Sequence, residues 1–145
     1  MVDWQIVVLR IALAFVFGAV AGIEREWRHK VAGIKTNALV AIGAAAFALM
    51  SDTFGPNNHN PAQLAAAVVT GIGFIGAGVI IHRGATVQGV TTAATLWANA
   101  SMGVAFGLGH YAVGGAVFAG VIIVQFVLPT IAAFVSAHGP RDRDQ

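Results

Sequence analysis

From Leu64 to Ile81 the chain carries no charge, and apolar or small residues follow one another almost without interruption. About 18 such residues approach the length that crosses a bilayer as a helix, which limits the possible folds more than any other feature. Within the run, Gly71, Gly73 and Gly76 match G-x-G-x-x-G, so a dinucleotide-binding turn is the competing reading. That turn requires a preceding strand and an acidic residue about 20 positions later to hold a ribose. Here the upstream segment, Gln63 to Thr70, is alanine-rich, and no Asp or Glu occurs between Asp52 and Asp142. These glycines, with Gly78, therefore read as close-packing positions in a membrane helix.

Of the 145 residues, 57% are hydrophobic and 10% charged, far from the balance of a soluble domain. The expected class is an all-α, polytopic membrane helix bundle, with residues 1–137 as one transmembrane domain and 138–145 as a short polar tail. Without cysteine, disulfides and thiolate metal sites are excluded. The net charge of +2 is explained by position rather than by nucleic acid, because every Lys and Arg except Arg10 lies outside the expected hydrocarbon. The partner implied by composition is the lipid bilayer.

Five spans are expected: about Trp4 to Ile23, Thr36 to Met50, Pro61 to Ile81, Thr91 to Leu108, and Tyr111 to Val135. A signal peptide is the rival for the first, since Ala19-Val20-Ala21 resembles a cleavage site, but its charges follow the apolar run rather than precede it. Ala14, Gly18 and Gly22 recur there as a small-xxx-small face. The connection from Glu24 to Asn37 has a basic excess, which places it in the cytoplasm, the N-terminus outside and the C-terminus inside. The turn formers between Ser51 and Pro61 should lie outside, and the segment from His82 to Val90 is a short inner loop. In the fourth span the series Thr91, Thr95, Asn99, Gly103, Gly107 is small or polar throughout, and should be buried against another helix, with the glycine-rich third span as its expected partner.

Few residues offer chemistry. Arg10 lies within the first span, where it either snorkels to the headgroups or acts as an interior cation held by Asp52, Gln63 or a carbonyl. Asn99, near mid-membrane, suits a link between helices, with ligand contact as the alternative; Gln125 and Thr70 read as structural. Glu24 and Glu26, beside Arg25, Arg28 and Lys30, read as salt-bridged ordering of a loop. The five histidines show no helical metal-ligand spacing, no acid lies within a span to hold Mg²⁺, and Ser51, Ser101 and Ser136 have no adjacent His or Lys. Neither catalysis, nor a metal site, nor a cofactor is expected.

Four ordered motifs carry a resemblance. They are Gly22-Ile23-Glu24-Arg25-Glu26 with Arg28, Ala32-Gly33-Ile34-Lys35-Thr36-Asn37-Ala38-Leu39-Val40, Gly71 to Ile80, and Gly89-Val90-Thr91-Thr92-Ala93-Ala94-Thr95-Leu96-Trp97. Together they resemble the MgtC/SapB family of bacterial inner-membrane proteins. The resemblance implies a five-span membrane domain that supports adaptation to magnesium limitation and, in pathogens, virulence. It also implies a regulatory role exerted by binding membrane machinery, notably the F-type ATP synthase. Members of the MgtC type continue into a soluble C-terminal domain, whereas this sequence ends soon after the fifth span. Where the family commonly has Asp-x-x-Arg before the third span, this chain has Asn60-Pro61-Ala62-Gln63. The position of Thr91 is Asn in some members, where it is implicated in partner binding, and this makes Thr91 a candidate contact.

Two functions follow for comparison. One is a non-enzymatic regulator that docks through its helices, with Arg10, Glu24, Arg25, Glu26, Thr91, Thr92, Thr95 and Asn99 as contact candidates and a homodimer as a further possibility. The other is a transporter or channel for Mg²⁺ or another small ion, supported by the polar stripe of the fourth span. A purely structural membrane subunit is a weaker third.

Overall fold

A computed structural model describes residues 3–51 and 60–138. Among these, five α-helices run in the order α1 (Trp4–Trp27), α2 (Ile34–Ser51), α3 (Pro61–Val79), α4 (Val90–Gly107) and α5 (Tyr111–His138). Between α3 and α4 stands a two-stranded antiparallel hairpin, β1 (Ile81–Arg83) and β2 (Thr86–Gln88), where the sequence predicts a plain loop. The glycines explain the hairpin: Gly84 turns it at φ 60°, and Gly89 leaves it at φ 90°, too close to the Val79 carbonyl to admit a side chain. The expected outer turn falls largely on residues outside those described, as does the polar tail beyond His138.

Helices α1, α2, α3 and α5 are long and apolar enough to cross a membrane. Helix α4 matches α2 in length but carries Thr91, Thr92, Thr95, Asn99 and Ser101, and it is sheltered by contacts with all four other helices. Half-satisfied polar side chains are tolerated poorly by lipid, so a span of this composition belongs inside the bundle.

The core is built on α2. Ala38, Ala41, Ala44, Ala45 and Ala48 are buried there, and their small side chains let the backbones of α1 and α4 approach from two sides. Gly18 of α1 lies over Ala41 and the Asn37 carbonyl, and Gly22 over Gly33 and Ile34. Gly103 and Gly107 of α4 lie over the carbonyls of Ala41 and Ala45. A Cβ at any of these four glycines would collide with backbone, so the packing distance itself depends on them. Phe17 ties α1 to α4 and α5, its ring 5.1 Å from Phe106 and 4.7 Å from Phe118, the latter edge-on at 89°.

This arrangement corrects two expectations. The buried stripe of α4 meets α2 at Gly103 and Gly107, rather than α3. The charged segment after Ile23 is not loop: α1 continues through Glu24, Arg25 and Glu26 to Trp27.

Candidate functional site

The polar residues of the interior collect where the end of α1, the start of α2 and the start of α4 converge. Arg25, only 4% exposed, donates from Nη2 to Thr92 Oγ1 at 2.5 Å, crossing from α1 to α4. Glu24, equally buried, pairs with Arg28 Nε at 2.6 Å one helical turn on. Glu26 is exposed, but its Oε2 accepts from Ile34 N at 3.0 Å and so satisfies one of the first N–H groups of α2. Gly33 lies against the Glu26 carboxylate at that bend, and a Cβ there would push the carboxylate aside.

Further along the same seam, Asn99 Nδ2 donates to Asn37 Oδ1 at 2.6 Å, and Asn37 Nδ2 donates to the carbonyls of Ala32 and Gly33 at 3.1 and 2.7 Å. Two helices and the bend before α2 are thereby joined through one amide. Gln125 of α5 donates from Nε2 to the Ala21 carbonyl at 3.1 Å, on the turn of α1 that leads into Arg25. Glu24 Oε2, Arg25 Nε, Asn99 Oδ1 and Gln125 Oε1 are buried with no hydrogen-bond partner among the described residues.

At the other end of the bundle, Arg10 Nη1 donates to the Gly107 carbonyl at 2.8 Å. Gly107 is the last residue of α4, so a cation sits against the negative end of that helix. Arg10 thus has a carbonyl among its partners, and Asp52, the acidic partner expected for it, lies outside the described residues.

The contact candidates therefore separate. Glu24, Arg25, Thr92 and Asn99 belong to the buried seam, and Arg10 to the opposite end. Thr91 is exposed and uses its carbonyl to accept from Thr95 Oγ1 at 2.8 Å, so neither hydroxyl joins the seam. The glycines separate too: Gly76 makes ordinary contact with Ala93, whereas Gly71, Gly73 and Gly78 meet no atom within 4 Å of an added Cβ. Close packing at those three is not made among the described residues. Asn37 is the functional partner that sequence reasoning passed over. Its signal was an amide placed just inside the start of an alanine-rich span, where it must find partners.

Chemically, the seam is a set of interhelical hydrogen bonds and one ion pair. Among the described residues, no three His, Cys, Asp or Glu side chains come together as metal ligands would.

The chain is 41% identical over 140 residues to slr0014, an uncharacterized protein of Synechocystis sp., covering 95% of this chain and 58% of that protein. It is 51% identical over 104 residues to Protein MgtC of Salmonella typhimurium, covering 72% of this chain and 44% of the relative. With Protein MgtC of Brucella abortus it shares 48% over 99 residues, covering 68% and 41% respectively. The chain thus spans about half the length of the curated relatives it matches. No solved structure matches it. Residues 11–134 match the MgtC family, and the chain belongs to that family.

Proposed function

We propose that the chain is a non-enzymatic regulator of the bacterial inner membrane that docks through α3 onto larger membrane machinery. The observation that carries this reading is an uncovered small-residue face. Ala66, Thr70, Gly73 and Ala77 recur along one side of α3 and are all exposed, and a Cβ added to Gly73 would meet nothing. Such faces allow two helix backbones to approach closely in lipid. Helices α1 and α4 spend theirs inside the bundle, on Ala41, Ala45 and their neighbours; α3 keeps its own available.

The basic residues Arg28, Lys30 and Lys35 favour an orientation with their end in the cytoplasm. The role implied by family membership is support of adaptation to magnesium limitation, and of virulence in pathogens, with the F-type ATP synthase as the partner to test first. A second copy of the chain is a competing occupant of the same face. Transport of Mg²⁺ or another small ion is the rival function; the engagement of Asn99 between helices supports a packing role for the polar stripe instead.

Affinity purification of the tagged chain from mild detergent tests the reading. ATP synthase subunits should co-purify with the wild type and be lost with Gly73→Leu, whose bundle should remain intact. Cation flux above that of empty vesicles, from purified protein in liposomes, would refute the regulatory reading in favour of transport.

A further inference from the structure

Helices α2 and α3 touch only sparingly, and between them runs an open groove of about 640 Å³. Gly43 and Phe47 of α2, Gly71 and Ile75 of α3, and Ala100 of α4 contribute to its lining, and Thr36 is its one polar contributor. We propose that this groove binds one anionic phospholipid from the leaflet at the basic end of the bundle, with acyl chain along the slot and phosphate beside Lys35 and Thr36.

Charge complementarity sets the occupant. Along α2 the lining runs from Thr36, whose sequence neighbour Lys35 is exposed, to the apolar Phe47. A basic mouth and an oily run have the polarity of a lipid with a negative headgroup. Length agrees: the rise from Thr36 to Phe47 is roughly 16 Å at 1.5 Å per residue, and one leaflet accounts for about half of a 30 Å hydrocarbon core. Gly43 and Gly71 widen the slot from opposite walls, since a Cβ at either meets no atom within 4 Å.

The test uses the full chain in neutral detergent, titrated with phosphatidylglycerol or phosphatidylcholine of identical acyl chains and counted by native mass spectrometry. One phosphatidylglycerol should be retained per chain, preferred about fivefold, as expected for one basic residue at an anionic surface. Lys35→Gln, at an exposed position, should bring the ratio close to one without reducing phosphatidylcholine uptake. The pair Gly43→Leu and Gly71→Leu should displace both lipids while helicity is retained. Equal retention of both lipids by the wild type overturns the proposal, as does phosphatidylglycerol binding that ignores Lys35→Gln. A dimer that depends on Gly43 and Gly71 while lipid retention does not would assign the groove to a second copy and overturn it as well.

Discussion

Asn99 and Asn37 face each other across the α2–α4 interface with no solvent exposure, joined by a 2.6 Å hydrogen bond from Asn99 Nδ2 to Asn37 Oδ1. The two ends of the bond are unequal. Asn37 also holds the Ala32 and Gly33 carbonyls and so fixes the bend that starts α2, while Asn99 contributes only the interhelical bond. Asn99→Ala should therefore cost about 0.6 to 2 kcal/mol, the range for an interhelical amide in membrane proteins. Asn37→Ala should cost more, because Asn99 loses its acceptor, the Ala32 carbonyl loses the amide donor, and the Gly33 carbonyl keeps only the Asn37 backbone N–H. Unfolding in detergent with rising sodium dodecyl sulfate measures both; equal losses would contradict the inequality of their roles.

Glycines on different helices should respond in opposite ways. At Gly103 an added side chain runs into the Ala41 carbonyl, so Gly103→Val must force α4 away from α2 and expose Asn99 and Met102. Overpacking of this kind typically costs about 1 to 3 kcal/mol or more. Gly73→Val, facing open space on α3, should leave bundle stability unchanged within about 0.5 kcal/mol, as substitutions away from packed features usually do. Thermal unfolding of the two purified variants in one detergent gives the comparison. A destabilised Gly73→Val would mean that α3 is already packed on something in the isolated protein.

The helices were legible because each apolar run is long, nearly uncharged and bounded by turn formers or charge, and lipid permits such a run few alternatives to a helix. Register was harder. A strict i+4 series advances about 40° per step on a helix of 3.6 residues per turn, so the series from Thr91 to Gly107 winds roughly 160° around α4. Its last members are buried while its first is exposed; Thr92, Leu96, Asn99, Gly103 and Phe106, spaced by threes and fours, stay on the buried face. The partner of that face was hidden for a different reason. Helix α2 has Ala38, Ala41, Ala44, Ala45, Ala46 and Ala48, which read as general helix-forming composition rather than as a contact face, yet their smallness is what admits Gly18 and Gly103 to its backbone. Arg25 was misplaced because charged residues after an apolar run read as loop, and the contact with Thr92 that helps to compensate its burial is distant in sequence.

Arg10 completes the end of α4 at the opposite pole of the bundle. Its guanidinium donates to the last carbonyl of that helix, at Gly107, and packs so near Gly109 that a side chain there would strike it. Arg10→Leu should destabilise the bundle by about 0.3 to 2 kcal/mol, the span reported for a cation at a helix C-terminus. Arg10→Lys should recover part of this, since a point charge keeps the dipole interaction without the planar fork. Local opening near Gly107, followed by amide exchange at His110, whose N–H donates to the Ala105 carbonyl at 2.8 Å, should rise in Arg10→Leu. Unchanged exchange and stability would leave Arg10 as a headgroup anchor alone.

The Arg25–Thr92 contact should prove directional in its response to substitution. Thr92→Val keeps the shape and removes the acceptor, leaving a buried guanidinium without the hydroxyl that joins it to α4. Hydrogen bonds to charged groups contribute about 1.5 to 3 kcal/mol, and the loss should fall in that range. Thr92→Ser retains the oxygen and should recover most of it, apart from the methyl group's packing. Arg25→Leu in the Thr92→Val background should cost less than Arg25→Leu alone, because the two changes remove one interaction between them. Glu24 keeps Arg28 as its ion-pair partner throughout, which limits the charge imbalance that Arg25→Leu creates. A double-mutant cycle read by equilibrium unfolding in mixed micelles measures the coupling. Strict additivity would show that Arg25 is buried for its packing against α4 rather than for its bond to Thr92.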